Sequence, residues 1–128
     1  MIHQLGQVML YVNDQKKALA FWTEKLNFTK ISEEENEVMR WIEIAPQSGK
    51  GSHIIIHHKE TVAKMSPELH LGTPSLMFFA ENVENLYEEF KKKQIIVGEM
   101  VEMPSGKIFN FADDEENYFA VMEVKDSN

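Results

Sequence analysis

The hydrophobic pattern changes its period between Gly6 and Phe28. Apolar residues alternate with the others from Gln7 to Val12, whereas they recur at helical spacing from Ala18 to Leu26. The first pattern is typical of a half-buried strand and the second of an amphipathic helix. Asn13-Asp14 precedes the helix as an N-cap, and Asn27, a residue type that tolerates the left-handed conformation, follows it. This stretch therefore predicts a strand that feeds a helix covering a sheet.

The same order of patterns returns in the second half of the chain. A strand is predicted from Ser75 to Ala80, a helix from Asn85 to Lys93 and an extended segment from Ile95 to Val97. Sequence identity between the two halves is low, so the repeat lies in the pattern. We expect a duplicated module made of a strand, a helix and further strands.

Shorter alternating stretches and turn-forming residues predict the remaining elements. In the first half these are strands at Thr29–Ser32, Val38–Ile44 and His53–His58, a hairpin tip at Glu33–Asn36 and a loop at Pro46–Gly51. In the second half they are turns at Glu102–Lys107 and Asp113–Asn117, strands at Ile108–Ala112 and Tyr118–Val124, and a frayed tail at Lys125–Asn128.

Two short motifs and their spacing resemble a known family. The segment QVMLYVND at residues 7–14 is similar to the first strand of glyoxalase I, and ADDEENYFAVMEV at residues 112–124 is similar to the family's DPDGN strand start. Between them lie a Phe-Trp pair in the first helix and the tripeptide LNF at its end. From Leu5 to Val124 the chain resembles the vicinal oxygen chelate superfamily, which includes glyoxalase I, extradiol dioxygenases and bleomycin-resistance proteins.

The resemblance implies an α+β fold in which two βαβββ modules form a cupped mixed sheet, with the ligand in a cleft between the modules. Residues 1–128 would form a single domain, with module one at about 4–58, a connector at 59–74 and module two at about 75–124. The resemblance also implies a homodimer, because related proteins cover exposed strand edges by pairing two chains or by swapping modules.

Composition narrows the choice of partners. The chain has 128 residues, 43% of them hydrophobic, which is enough material for one core. It has no cysteine. Its net charge of -8 disfavours nucleic acid and anionic membranes as partners. The sequence has no apolar run long enough for a membrane span, and Met1–Gln4 lacks a secretion signature. We therefore expect a cytoplasmic protein with a small-molecule ligand.

The resemblance places one metal ligand on each of four strands. These positions fall on Gln7, Ile55, Ser75 and Val121. Gln7 is an oxygen donor that matches glyoxalase I, but isoleucine and valine have no lone pair and serine is a poor ligand for a divalent ion. We therefore predict no catalytic divalent metal and no other cofactor.

A shifted metal site is an alternative. Glu43, His53 and His57 share the predicted inner face with Gln7. However, His53 and His57 are separated along one strand by ~13 Å, which is too far for one ion to join them. We expect both to be partly exposed histidines at the edge of the sheet.

The predicted inner face is otherwise apolar and aromatic. The candidate ligand contacts are Gln7, Met9, Tyr11, Trp41, Glu43, Ile55, Ser75, Met77, Phe79 and Val121, with Phe119 and Glu123 on the same predicted face. An apolar cleft with a few polar anchors is typical of a small-molecule site, and aromatic rings and methionine suit planar or cationic ligands. The alternative is that these side chains fill the cup as ordinary core.

Two hypotheses of function follow. The first is a metal-free binding protein, resembling the antibiotic-resistance branch, that sequesters an apolar, planar or cationic antibiotic or metabolite. The second is a glyoxalase-like lyase or isomerase with a shifted metal site or with Glu43 as the base. Ion pairing of Glu43 with Arg40, or with a lysine of a neighbouring strand, is the simpler expectation for that carboxylate. Turnover and the identity of the ligand stay open.

Overall fold

The two halves of the chain form separate compact units. A computed structural model describes residues 1–125, so the expectation of a frayed tail beyond Lys125 lies outside the described residues. The first unit is Met1–Pro74 and the second begins at Ser75. Among residues 1–125, no helix combines the length and the apolar character that crossing a membrane requires.

The first unit is a four-stranded mixed sheet with two helices. Its elements are β1 (Gln7–Val12), α1 (Gln15–Ala20) continued by a π-helical turn (Phe21–Lys25), β2 (Thr29–Glu35), β3 (Arg40–Ala45), β4 (His53–His58) and α2 (Lys59–Met65). The strand order is β1-β4-β3-β2, in which β1 and β4 are parallel and the other pairs are antiparallel.

The predicted start and end of the first helix are confirmed. The Asp14 side chain accepts a hydrogen bond from the Lys17 backbone N–H at 3.0 Å, which caps the N-terminus. The helix widens in its last turn, where the Leu26 N–H donates to the Phe21 carbonyl at 3.3 Å. Asn27 then takes a φ of 59°, the left-handed conformation that ends the helix.

One face of the first sheet packs against the helix, and the other is left open. Buried side chains on the packed face are Leu10, Val12, Ile42, Ile44, Ile54 and Ile56, together with Ala18, Phe21 and Trp22 of the helix. The strand register then places the remaining side chains on what we call the open face of the first sheet: Gln7, Met9 and Tyr11 of β1, Ser32 and Glu34 of β2, Trp41 and Glu43 of β3, and His53, Ile55 and His57 of β4.

The predicted hairpin tip at Glu33–Asn36 is wrong. The strand continues to Glu35, and Glu33 lies opposite Ile42 in the register. Because β2 is an edge strand, its backbone pairs with β3 while its glutamate side chains stay exposed, so that no carboxylate has to be buried. The turn begins at Asn36, whose side-chain oxygen accepts from the Val38 and Met39 backbone N–H groups, each at 2.8 Å.

The second unit repeats this architecture. Its elements are β5 (Met77–Ala80), α3 (Val83–Lys92), β6 (Val101–Met103), β7 (Gly106–Ala112) and β8 (Tyr118–Glu123). The strand order β5-β8-β7-β6, with β5 and β8 parallel, matches that of the first unit. The prediction of an α+β fold built from two βαβββ modules is confirmed, as two four-stranded mixed sheets.

Several predicted boundaries in the second unit shift. The helix begins at Val83, because Asn82 caps it by accepting from the Asn85 N–H at 3.4 Å. The predicted extended segment at Ile95–Val97 contributes a single bridge, from Val97 to β7. The predicted turn at Glu102–Lys107 is in fact a tight hairpin between the end of β6 and the start of β7.

Candidate functional site

A cavity of about 380 Å³ lies on the open face of the first sheet. Its lining residues are Gln7, Met9, Ser32, Glu34, Asn36, Met39, Trp41, Glu43, Ile55 and His57. A volume of this size is within the range of small-molecule sites in proteins. The lining mixes an aromatic ring and two thioethers with carboxylate and amide groups, as expected for a pocket that holds a ligand and orients it.

Five of the predicted contact residues come together in this cavity. Gln7 and Met9 lie on β1, Trp41 and Glu43 on β3, and Ile55 on β4 between these two strands. Tyr11, the sixth predicted residue of the first unit, lies on the same face. Its ring stacks on the ring of His57.

The predicted contacts of the second unit lie in different environments. Met77 and Phe79 are 49% and 65% exposed, and their register partners on β8 are Ala120 and Met122. Ser75 precedes β5 and is exposed. These three side chains therefore lie on the surface of the second unit.

The predicted inward position of Val121 is wrong. Val121 is 2% exposed and lies opposite Phe109 in the register of β7 and β8. Phe109 packs edge-on against Tyr87 and Phe90 of α3, with ring centroids 5.0 and 5.6 Å apart. Val121 thus belongs to the helix-facing side of the second sheet, and so does Phe119, two residues away on the same strand.

The residues at the four family metal positions do not fit a divalent metal. Ile55 and Val121 have no donor atom, and Val121 is buried beneath a helix. Ser75 offers only a hydroxyl, which leaves Gln7 as the one suitable donor. Within residues 1–125, no three histidine, aspartate or glutamate side chains gather in a way that could hold an ion.

Glu43 has a different partner from the one predicted. Its Oε2 atom is 2.5 Å from Nδ1 of His53, and its Oε1 atom is 3.5 Å from the Ser32 hydroxyl. Arg40, the expected partner, lies on the opposite face of β3, where its Nε donates to Glu33 at 2.8 Å. The cavity carboxylate is therefore held by an imidazole.

The prediction that His53 lies at a sheet edge is wrong, because β4 lies between β1 and β3. Its Nε2 atom is 2.9 Å from the Gly49 carbonyl oxygen. That carbonyl, and then the Glu43 carboxylate, raise the pKa of His53 by stabilising the doubly protonated ring. With both nitrogens engaged, His53 has no lone pair for a metal, so the shifted metal site also lacks support.

His57 also lies on the inner strand, between Tyr11 and Trp41 in the register. Its Nε2 atom is 3.3 Å from the Met9 sulfur. Burial lowers its pKa, which favours the neutral ring at neutral pH. Within residues 1–125, the buried Nδ1 atom of His57 has no hydrogen-bond partner. An unsatisfied nitrogen therefore lies beside the cavity.

The prediction missed part of the cavity wall. Ser32, Glu34, Asn36 and Met39 line it, and the first two became visible only once β2 was known to continue to Glu35. Ser32 and Glu34 already alternate with their neighbours in the sequence. Extending that alternation through the glutamates would have placed both side chains on the face of Trp41 and Glu43.

Comparison with known proteins agrees with this fold. Residues 4–121 match the family model described as the Glyoxalase/Bleomycin resistance protein/Dioxygenase superfamily. The chain is 33% identical over 125 residues to the uncharacterized protein YetH of Bacillus subtilis (strain 168). The alignment covers 96% of this chain and 100% of YetH.

Solved structures with the same fold cover nearly the whole chain. UcmS2 superposes with a TM-score of 0.81 and 26% identity, covering 97% of this chain and 100% of that one. TnmS3, described as an antibiotic binding protein from Streptomyces sp. CB03234, has a TM-score of 0.78 and 18% identity, with 96% of each chain covered. The family match, the relative and the shared fold lead to one conclusion: the chain belongs to the Glyoxalase/Bleomycin resistance protein/Dioxygenase superfamily.

Proposed function

We propose that the protein binds an apolar, planar or cationic small molecule in the cavity on the open face of the first sheet, without a catalytic divalent metal. The observation that carries this proposal is the lining of the cavity. The indole of Trp41 and the side chains of Met9, Met39 and Ile55 provide apolar contact area, and Gln7 provides a polar anchor. Such a wall would sequester an antibiotic or a metabolite.

Two further points support binding over chemistry. Two of the four family metal positions, Ile55 and Val121, have no donor atom. TnmS3, which shares the fold, is described as an antibiotic binding protein. At 18% identity that description supports only the class of function.

The glyoxalase-like alternative requires either a shifted metal site or Glu43 as the base that accepts a proton from a substrate. In this structure the Oε2 atom of Glu43 already accepts from His53 at 2.5 Å, so that only Oε1, 3.5 Å from the Ser32 hydroxyl, remains to accept a proton from a substrate. We therefore place the enzymatic hypothesis second. Turnover of a hemithioacetal after addition of nickel or zinc would reverse this order.

Thermal-shift screening tests the binding proposal. The panel contains cationic antibiotics, aromatic metabolites and glutathione adducts, measured against the wild type and Trp41→Ala. We expect at least one compound to stabilise the wild type and to lose that effect in Trp41→Ala. Leu69→Ala is the control, because it removes an exposed apolar side chain that neither lines the cavity nor belongs to the apolar cluster of the second sheet. If no compound separates the wild type from Trp41→Ala, the binding proposal fails.

A homodimer in the cytoplasm completes the proposal. Met77, Phe79 and Tyr118 lie on the side of the second sheet opposite α3 and are about half exposed or more. Clustered exposed apolar side chains of this kind often mark an interface. Light scattering should then report twice the 14.9 kDa of one chain, and a lone monomer would exclude the dimer.

A further inference from the structure

Two carboxylates line the cavity, and their surroundings differ. Glu34 on β2 lies opposite Trp41 in the register, and Glu43 lies on β3 two residues beyond Trp41. Of the described residues that line the cavity, none is a lysine or an arginine. Within residues 1–125, the Glu34 carboxylate forms no salt bridge. Its charge therefore faces the cavity uncompensated.

Glu43, in contrast, carries its own counter-ion. A carbonyl oxygen can only accept hydrogen bonds, so the contact between His53 Nε2 and the Gly49 carbonyl requires a proton on that nitrogen. The contact between His53 Nδ1 and Glu43 Oε2, at 2.5 Å, takes a second proton from the same ring. His53 is then a cation, while the ring itself is not among the residues that line the cavity.

We propose that the cavity selects a planar organic cation, with Trp41 as its stacking surface and Glu34 as its counter-ion, and that His53 withholds the second carboxylate, Glu43, from the ligand. This inference rests on the proposed binding function and names the ligand class of the same site. An aromatic face beside an uncompensated carboxylate is the arrangement that holds organic cations in proteins. A neutral planar molecule would gain the stacking alone.

Among the groups around His53, Glu43 is the one whose effect on a ligand depends on the charge of His53. β1 brings the uncharged Gln7 opposite His53, and β2 brings Glu34 to the same cavity. On β4 itself the same face carries His57, whose pKa burial lowers, so that above pH ~6.5 it adds no charge. Lys50 follows Gly49 in the adjacent loop and is exposed. Loss of the His53 charge therefore leaves Glu43 free to act on a bound cation.

A calorimetric titration with two probes tests the ligand class. N-methylquinolinium carries a permanent charge, and quinoline is its uncharged analogue of nearly the same shape. At pH ~7, we expect the wild type to bind N-methylquinolinium more tightly than quinoline by about fivefold or more, the low end of coupled charge effects. Glu34→Gln should bring the ratio of the two affinities close to one. Equal affinity for the two probes would overturn the cation assignment.

The withheld carboxylate is tested by removing only the charge of His53. His53→Gln keeps a hydrogen-bond donor near Glu43 but cannot be a cation. We expect it to bind N-methylquinolinium severalfold more tightly than the wild type does, with no change for quinoline. The double variant His53→Gln with Glu43→Gln should lose the gain, because the carboxylate that His53→Gln frees is then absent.

Raising the pH should act like His53→Gln. As His53 loses its proton, the affinity of the wild type for N-methylquinolinium should rise toward that of His53→Gln, whose own affinity stays constant between pH ~7 and ~9. Binding should also release a proton, seen as different heats in phosphate and in Tris buffer. Unchanged affinity in His53→Gln would overturn the role of His53 alone. Failure of both probes to bind at any pH would overturn this inference, whereas the proposed function is decided separately by the thermal-shift screen with Trp41→Ala.

Discussion

The rings of Tyr11 and His57 stack with their centroids 5.8 Å apart and 23° between their planes. The two residues are register partners on the parallel strands β1 and β4. This contact shields one side of the imidazole, and Met9 covers its Nε2 atom. A histidine in such a setting avoids the charged state, because protonation would place a cation in a partly apolar environment.

We predict that His57 makes the protein less stable as the pH falls. Its folded pKa lies below the ordinary value of ~6.5, so between these two values the unfolded chain binds more protons than the folded one. The free energy of unfolding, measured with urea, should fall as the pH drops through ~6.5. In His57→Phe, which keeps the ring stack, this part of the pH dependence should disappear. Parallel pH profiles for the two proteins would contradict the assignment.

His53 should have the opposite effect. Its pKa is raised by the Gly49 carbonyl and then by Glu43, so its contribution to stability is complete below pH ~6.5 and is lost as the pH rises through the raised pKa. The stability difference between the wild type and His53→Gln should narrow by at most ~1 kcal/mol over that window, the range of partly exposed ion pairs. A difference that widens with pH would refute the sign. An NMR titration of the imidazole would locate the window directly.

Asp113 holds the turn before the last strand, and its removal should destabilise the second unit. Its side chain is 4% exposed and accepts from the backbone N–H groups of Glu115 and Asn117, at 2.9 and 2.8 Å. Asp113→Ala leaves both donors without this partner, at a cost of ~1–3 kcal/mol. Asp113→Asn keeps one acceptor oxygen and should cost less. Equal losses in the two variants, measured by chemical denaturation, would show that the turn does not depend on these bonds.

Val121 and Phe79 provide a test of which side of the second sheet is packed. Val121→Ala removes buried methyl groups beneath α3 and should cost ~1–3 kcal/mol. Phe79→Ala removes a larger side chain that is 65% exposed and should change the unfolding free energy of the monomer by less than ~1 kcal/mol. The reverse order of the two effects would mean that Val121 faces outward. If the proposed dimer forms, the comparison is made at a protein concentration at which the chain is monomeric.

Local chemistry explains what could be predicted from the sequence. The Asp14 cap, the left-handed Asn27 and the alternation in β1 and β4 each depend on residues close together along the chain. These features therefore fixed the order of the elements and the two-module fold. They also placed Gln7, Met9, Trp41 and the other first-unit contacts on one face.

Long-range choices explain what could not be predicted. From Phe119 to Met122 every residue of β8 is apolar, so the alternation gives no sign of which side is packed. A shift of one residue exchanges the two faces, and that shift misplaced Val121. The pairing of Glu43 with His53 depends on the register between β3 and β4, which is set by the intervening loop. The prediction had instead paired Glu43 with Arg40 or with a lysine of a neighbouring strand.

The parallel pairs at the sheet edges have a consequence for synthesis of the chain. β1 leaves the ribosome before its partner β4, which begins only at His53, and β5 likewise waits for β8. Closing such a distant pair costs more chain entropy than forming the hairpins between them, so the edge strand joins its sheet late. Until then Leu10 and Val12, which are fully buried in the finished protein, stay in contact with water. The nascent first unit therefore exposes an unpaired apolar strand for most of its own translation. During this interval the chain is most prone to aggregate, and a chaperone would be most useful.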